Sequence, residues 1–130
     1  MKPRKKNCKC HFCKGDKKRS ELVLYKNGAI KESICKICLV IRNKVKSKER
    51  IERNRKIVIK NYGNKCAFCN ERRINVLTID HVDNDGAEHK RKINKEGSGF
   101  YSWLIKNNFP KNPKLQVLCM NCNWGKRFKN

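Results

Sequence analysis

The sequence predicts a small, zinc-stabilised α+β protein in which a long basic helix joins two cysteine-bearing modules. Three observations support this fold class. Only 38% of the 130 residues are hydrophobic, which is too little apolar material for one large core. Most of the nine cysteines form CxxC pairs, and the segment between the two groups of pairs is rich in Lys and Arg. Small modules of this composition need a metal or disulfides to hold their fold.

The cysteines predict metal ligation rather than disulfides. The first ten residues, MKPRKKNCKC, are basic and precede no apolar run, so we expect no secretory signal and a location in the cytoplasm, where thiols stay reduced. Taken in order along the chain, the pairs form two CxxC…CxxC sets, and each set can complete the tetrahedral coordination of one Zn²⁺. The predicted zinc ligands are Cys10, Cys13, Cys35 and Cys38 in one set and Cys66, Cys69, Cys119 and Cys122 in the other.

Two residues near the first set stand outside this assignment. Cys8 is the ninth cysteine. It either replaces Cys10 as a ligand or is a free surface thiol, and we expect the free thiol. His11 is within reach of the ion, but four thiolates already complete the tetrahedron. We therefore expect His11 to be a solvated or packing residue.

The charge of the chain predicts a polyanionic partner. Lys and Arg total 34 against 11 acidic residues, which gives a formal net charge of +23. Residues 1–65 contain 22 basic and five acidic residues, and residues 66–130 contain 12 and six. Basic side chains placed against phosphates release condensed counterions, so nucleic acid is the expected partner. The alternative is a solubilising basic surface or a disordered basic tail. We expect no membrane association, because the sequence has no long apolar span and no basic helix rich in Trp or Phe.

The middle of the chain predicts a basic linker helix over residues 39–62. It contains neither Pro nor Gly, and Gly63 is a natural stop. Its apolar residues recur only loosely, so a narrow stripe could be buried while the rest faces solvent or lies along phosphates. The helix separates a first module, residues 1–38, from a second domain, residues 63–130.

The second domain is predicted to contain two strands and two helices. Residues 74–82 alternate in the manner of a strand, and the polar, glycine-containing stretch 83–99 predicts a loop. Residues 100–108 predict a short helix whose aromatic side chains pack onto the domain. A second strand over 115–118 and a closing helix over 120–130 complete the prediction.

The order of motifs in this domain resembles the HNH, or ββα-metal, endonuclease family, and especially the zinc-stapled HNH nucleases common in bacteriophages. The order is CAFC, a strand ending in Asp-His, a loop, the strand LQVLC and then CNWGK, and the similarity covers about residues 61–128. The first module more weakly resembles the zinc-ribbon-like module that often precedes such domains. The resemblance implies a ββα-metal HNH fold after a zinc-ribbon-like module, in a prokaryotic or phage-infected host cell.

By this resemblance the protein is a metal-dependent endonuclease that nicks or cuts DNA. His81 matches the catalytic general base, and Asp80 and Asn123 match the two ligands of one Mg²⁺ or Mn²⁺ ion. The chemistry agrees with these roles, because an imidazole can deprotonate water near neutral pH. Oxygen ligands suit Mg²⁺, which neutralises charge on the phosphate and on the leaving 3′ oxygen.

Other polar residues receive weaker assignments. Lys126 and Arg127 match basic residues that commonly follow the metal-binding asparagine, and we expect them to contact phosphate. His89 either contacts the scissile phosphate or is a solvated loop residue. We expect Asp85 to shape the turn DNDG, while Asp83 either shapes that turn or binds the ion.

The sequence departs from the family pattern at one position. An asparagine, described as holding the catalytic loop in place, usually precedes the LQ of the second strand. Lys114 stands at that position here, and Asn112 is close but shifted. The departure concerns the efficiency of the reaction more than its type.

Two other classes of function stay open. A two-zinc protein that binds DNA or RNA without cutting it would account for the basic first half, but a binder gains nothing from carboxylates that face phosphate. A zinc-ribbon adaptor would use the first module to bind a protein partner such as a polymerase or a packaging motor, which leaves the second domain unexplained. The sequence makes no prediction of oligomeric state, and RNA stays open as an alternative substrate.

Overall fold

The computed structural model describes residues 7–128 and shows a small α+β protein. The chain divides into two compact units, Met1–Lys48 and Glu49–Asn130. Residues 1–6 of the predicted first module and residues 129–130 of the predicted closing helix lie outside the described residues.

The predicted basic helix is present as α1, Lys36–Tyr62, and contributes residues to both units. It begins three residues earlier than predicted, and Gly63 follows its last residue with a φ of 139°, a conformation that favours glycine. Ten of its 27 residues are basic and two are acidic. Val58 and Ile59 are the two residues of α1 in the core of the second unit. Among the described residues, no helix has both the length and the apolar character needed to cross a lipid bilayer.

The first unit contains two small antiparallel hairpins. Strand β1, Asn7–Lys9, pairs with β2, Asp16–Lys18, and β3, Leu22–Leu24, pairs with β4, Ile30–Cys35. A 3₁₀ turn joins β2 to β3. The buried residues of this unit are Cys10, Leu22, Ile34, Cys35 and Cys38. Two buried aliphatic side chains are too few to stabilise a fold without a further cross-link, so we infer that the cysteines at the centre of this unit provide that cross-link.

The second unit contains the two predicted strands, paired antiparallel. Strand β5, Leu77–His81, lies beside β6, Leu115–Cys119, with Asp80 opposite Gln116 and His81 opposite Leu115. Strand β5 is shorter than predicted, because the chain forms a 3₁₀ turn immediately before it. A short helix, α4, Met120–Lys126, follows β6 directly. The register places the start of α4 beside Leu77, at the amino end of β5, and Lys126, the last residue of α4, reaches Asp80 and His81 at the carboxyl end.

The predicted loop over residues 83–99 is wrong, because this stretch contains helix α2, Gly86–Ile93, and the start of helix α3, Gly97–Lys106. Gly86 contributes to the prediction of a loop but is the first residue of α2. A Cβ atom at that position would lie 3.1 Å from Nδ1 of His81, so any side chain there would require the ring of His81 to shift. His89 is the one buried residue of α2, which leaves the helix without an apolar periodicity that a sequence could show.

Helix α3 covers the sheet of the second unit. It begins three residues before the predicted helix, and Leu104 is fully buried. Phe100 and Trp103 pack against the same core, which confirms the prediction that these aromatic residues pack onto the domain. The core therefore joins α1, α3 and the β5–β6 pair around one end of the sheet.

Candidate active site and cysteine clusters

The two predicted cysteine sets form two groups of four thiols, one in each unit. Within each group, all four sulfur atoms lie within 4.8 Å of one another. A tetrahedral zinc site with Zn–S bonds of about 2.3 Å places its sulfur atoms about 3.8 Å apart, and the Sγ atoms of Cys69 and Cys119 are separated by 3.6 Å. Both groups are therefore compatible with structural zinc. Their members are Cys10, Cys13, Cys35 and Cys38, and Cys66, Cys69, Cys119 and Cys122.

The first CxxC pair of each group lies in the same kind of turn. The N–H of Lys14 donates to the carbonyl oxygen of Cys10 at 2.8 Å, and the N–H of Asn70 donates to that of Cys66 at 3.1 Å. Lys14 and Asn70 both adopt a left-handed conformation, with φ values of 60° and 61°. The turn folds the chain tightly enough for both thiols of a pair to face one ion.

The second pair of each group lies at a junction between a strand and a helix. Cys35 ends β4 and Cys38 is the third residue of α1, just as Cys119 ends β6 and Cys122 is the third residue of α4. Backbone N–H groups point at the sulfur atoms, from Cys122 to Cys119 at 3.4 Å and from Cys35 to Cys10 at 3.3 Å. Such donors stabilise a thiolate.

The thiols of each group cannot all ionise easily on their own. Burial opposes ionisation of Cys66, yet backbone N–H groups, that of Cys119 foremost, outweigh it and lower the pKa to about 6. The neighbouring sulfur of Cys119, followed by burial, raises the pKa of Cys122 to about 12. In the first unit the pKa values of Cys10 and Cys38 are likewise about 6 and about 12. Negative charges on neighbouring sulfur atoms repel one another. A bound cation would offset this repulsion, so that all four thiols could lose their protons when the metal binds.

Cys8 and His11 lie outside the first group. Cys8 is in β1 and packs against the core of the first unit, so Cys10 is the member of the four-sulfur group. His11 is exposed, and its Nδ1 lies 2.8 Å from the carbonyl oxygen of Ser33. Neither residue is placed among the four clustered thiols.

The three residues predicted to be catalytic line one cavity of about 200 Å³ in the second unit. Asp80 and His81 are the last two residues of β5, where the alternation of a strand directs their side chains differently. Asn123 comes from α4, whose last residue, Lys126, contacts Asp80. The fold thus brings together residues that are about 40 positions apart in the sequence.

The carboxylate of Asp80 is held by two donors on one oxygen. Its Oδ2 accepts hydrogen bonds from Nε2 of Gln116 at 2.8 Å and from Nζ of Lys126 at 2.7 Å. The same ammonium donates to the carbonyl oxygens of His81 at 2.5 Å and Val82 at 3.1 Å. The ammonium of Lys126 thus ties the end of β5 to α4, and its contact with phosphate stays a prediction.

Two side-chain oxygen atoms that form no hydrogen bond among the described residues are of the kind that hard divalent cations prefer. Among the described residues, Oδ1 of Asp80 and the side-chain oxygen of Asn123 form no hydrogen bond, and both residues line the same cavity. One carboxylate and one amide oxygen are ligands that Mg²⁺ and Mn²⁺ accept. An ion at this place would be held by Asp80 through a single oxygen, because Oδ2 is already bonded to Gln116 and Lys126.

The imidazole of His81 is held in a defined orientation. Its Nε2 lies 2.9 Å from Nδ1 of His89, and its ring stacks on Phe100 with centroids 5.7 Å apart and an interplanar angle of 22°. Its Nδ1 is directed towards Gly86, and both residues line the cavity. Burial lowers the pKa of His81, and the negative charge of Asp85 offsets part of that effect. A neutral imidazole is the form that can accept a proton.

His89 occupies a different place from the one expected. The prediction of a solvated loop residue is wrong, because His89 lies in α2 and is 7% exposed. Its ring also meets the ring of Trp103 edge to face, with centroids 5.2 Å apart. The imidazole packs among aromatic rings, and its contact with phosphate stays a prediction that nothing in this packing supports.

The remaining candidates are dispersed around the cavity. Arg127 lines it and is exposed, with its guanidinium 5.3 Å from the ring centroid of Trp124. Its contact with phosphate stays a prediction. Asp83 is exposed and is not among the residues that line the cavity. Asp85 immediately precedes α2, and its Oδ1 is buried without a hydrogen-bond partner among the described residues.

Lys114 stands where the family that the sequence resembles usually has an asparagine, and it contacts β5 through its main chain. It is exposed, and its carbonyl oxygen accepts a hydrogen bond from the N–H of Val82 at 3.0 Å. Asn112 lines a separate cavity together with Asp85 and His89. Neither side chain forms a hydrogen bond with His81 among the described residues.

The supporting contacts of three residues were not predicted from the sequence. Gln116 is directly opposite Asp80 in the sheet, so the register of the two predicted strands is the signal that could have identified it. The contacts of Lys126 with Asp80 and of His89 with His81 have no local signal, because each depends on how helices pack against β5. Comparison of the chain with protein-family models, with curated proteins and with solved structures gives no match.

Proposed function

We propose that this protein is a divalent-metal-dependent endonuclease of the HNH type that hydrolyses phosphodiester bonds in DNA. In this proposal the second unit is a ββα-metal domain, formed by β5, β6 and α4, and the first unit is a zinc-ribbon-like module. The observation that supports it best is the cavity at the end of β5. A half-buried imidazole, a carboxylate and an amide line that cavity together.

In the proposed reaction, Nδ1 of His81 takes a proton from a water molecule as the water oxygen bonds to phosphorus. The bond from phosphorus to the 3′ oxygen breaks, and that oxygen takes a proton from solvent, which leaves 5′-phosphate and 3′-hydroxyl ends. Oδ1 of Asp80 and the amide oxygen of Asn123 would hold one Mg²⁺ or Mn²⁺. When bound, this ion supplies positive charge to the phosphate and the leaving oxygen.

The charge distribution supports DNA as the substrate. The formal net charge is +23, and α1 alone contains ten basic residues. A chain with this charge attracts polyanions over a long range and loses affinity as salt is added. Arg127 is exposed beside the cavity, where a basic side chain can hold a phosphate in place.

A second candidate is a two-zinc protein that binds nucleic acid without cleaving it. One observation favours it: the ammonium of Lys126 already neutralises Asp80. The carboxylate would then be a structural partner of Lys126 and need not bind a metal ion. The basic surface serves this function equally well.

A plasmid-nicking assay with Mg²⁺ or Mn²⁺ distinguishes the two candidates. The nuclease proposal predicts that the wild-type protein converts supercoiled plasmid to the open form and that His81→Ala does not. His11→Ala is the matched control, because it removes an exposed imidazole of the first unit and should nick normally. If the wild-type protein shifts the plasmid in a gel but never nicks it, the binding protein is the better description.

A further inference from the structure

The hydrogen bond between His81 and His89 has two possible proton arrangements, and only one leaves His81 able to act as a base. The Nε2 of His81 and the Nδ1 of His89 are 2.9 Å apart, so one nitrogen must donate to the other. If His89 donates, the proton of neutral His81 lies on Nδ1, which faces the cavity and then cannot accept another. If His81 donates from Nε2, its Nδ1 keeps a free lone pair.

We infer that His89 is a positioning residue, which accepts the Nε2–H hydrogen bond of His81 and so keeps Nδ1 of His81 free and directed into the cavity. The catalytic consequence rests on the proposed nuclease function. The hydrogen bond and the proton arrangement do not, and they can be measured without any DNA.

The surroundings of His89 make it suitable for this role. It is 7% exposed and lies in a helix, and its ring meets Phe100 and Trp103 edge to face, with centroids 5.7 and 5.2 Å away. Phe100 also stacks on His81, so one aromatic ring restrains both imidazoles. A side chain held by packing on several sides keeps its hydrogen-bond partner in one orientation.

The place of His89 also accounts for the departure at Lys114. The family pattern expects an asparagine there that holds the catalytic loop, and the exposed side chain of Lys114 forms no hydrogen bond with His81 among the described residues. His89 reaches His81 from α2 instead, across the first turn of a helix that begins at Gly86.

Nitrogen NMR tests this inference directly, because the chain has only three histidines. Uniformly ¹⁵N-labelled, zinc-loaded protein gives long-range proton–nitrogen correlations that show which ring nitrogen carries the proton, and His11→Ala assigns one of the three rings. We expect His81 to be protonated on Nε2 alone, with an exchange-protected Nε2–H, and His89 to be unprotonated on Nδ1.

Two substitutions at His89 separate the hydrogen bond from packing. Asn places its Oδ1 close to where Nδ1 of His89 lies, so His89→Asn should keep the wild-type proton arrangement of His81 and its protected Nε2–H. Leu has similar bulk but no acceptor, so His89→Leu should lose that protection and show both tautomers. In nicking assays we expect kcat of His89→Leu to fall about 10- to 100-fold with KM unchanged, and His89→Asn to recover most of the loss.

The inference is overturned if wild-type His81 carries its proton on Nδ1, or if His89→Leu folds and keeps the protected Nε2–H. If His89→Leu fails to bind two zinc ions or to fold, the spectra of the wild type and of His89→Asn still show which nitrogen of His81 carries the proton. Failure of the proposed function has a different signature. A wild-type protein that never nicks DNA but has the expected protonation of His81 refutes the nuclease and leaves the positioning role intact.

Discussion

Replacing Lys126 by Met is expected to destabilise the second unit by about 3 kcal/mol. The ammonium donates to Asp80 at 2.7 Å and to the carbonyl oxygens of His81 and Val82. Removing one partner of a buried ion pair costs about 3–5 kcal/mol, and hydrogen bonds to charged groups contribute about 1.5–3 kcal/mol each. The two side chains of the pair are 14% and 12% exposed, so some solvent reaches them and the lower end of the range applies. Methionine keeps most of the aliphatic stem.

Tryptophan fluorescence measures this effect in the second unit alone, because both tryptophans lie there. For a unit of this size, 3 kcal/mol corresponds to a fall in Tm of roughly 12–24 °C. Lys111→Met is the matched control, since Lys111 is exposed and forms no ion pair among the described residues, and surface changes usually cost less than about 0.5 kcal/mol.

Adding Mg²⁺ extends the same experiment to the metal site. In Lys126→Met, a divalent ion can supply the positive charge that Asp80 has lost, so Mg²⁺ should raise the Tm of this variant more than that of the wild type. If Lys126→Met without Mg²⁺ has the same Tm as the wild type, the ammonium does not stabilise the second unit. A Tm that Mg²⁺ changes in neither protein would contradict a cation site at Asp80.

Two further predictions concern the cysteine clusters and the basic surface. Cys66→Ser should reduce bound zinc from two ions per chain to one and abolish the cooperative unfolding transition of the second unit, because zinc binding contributes folding free energy. The control Cys8→Ser should still bind two ions. Two zinc ions bound to Cys66→Ser would count against the site. Binding to DNA should weaken steeply with salt, by about 10³ between 50 and 200 mM if six phosphates are contacted. An affinity that does not change with salt would remove the electrostatic explanation.

The cysteine groups and the long helix could be predicted because their signals are local. Two CxxC pairs have few ways to meet one ion, and both sets come together as expected. The interval from residue 39 to Gly63 lacks helix breakers, and the structure differs only by three residues at the start of α1. The strand before Asp80 was likewise visible from its alternation. Each of these features depends on spacing within a short stretch of chain.

The parts that failed depend on tertiary contacts. Gly86 was interpreted as part of a loop, but its missing side chain makes room for the ring of His81. The burial of His89 follows from aromatic residues of α3, which lie more than ten positions away in the sequence. Lys126 and Asp80 are separated by 46 residues, and no local pattern shows that they form an ion pair. The candidate residues could thus be chosen from the sequence, whereas their supporting partners required the fold.

The most direct test of the central claim is the nicking rate of His81→Ala relative to the wild type, with Mg²⁺ present and with DNA binding measured on the same samples. A general base contributes about 10²- to 10⁴-fold to such a reaction. The proposed function therefore predicts a rate lower by that factor while the affinity for DNA stays the same. Equal nicking rates for the two proteins, at equal DNA binding, would contradict the assignment of His81 as the catalytic base.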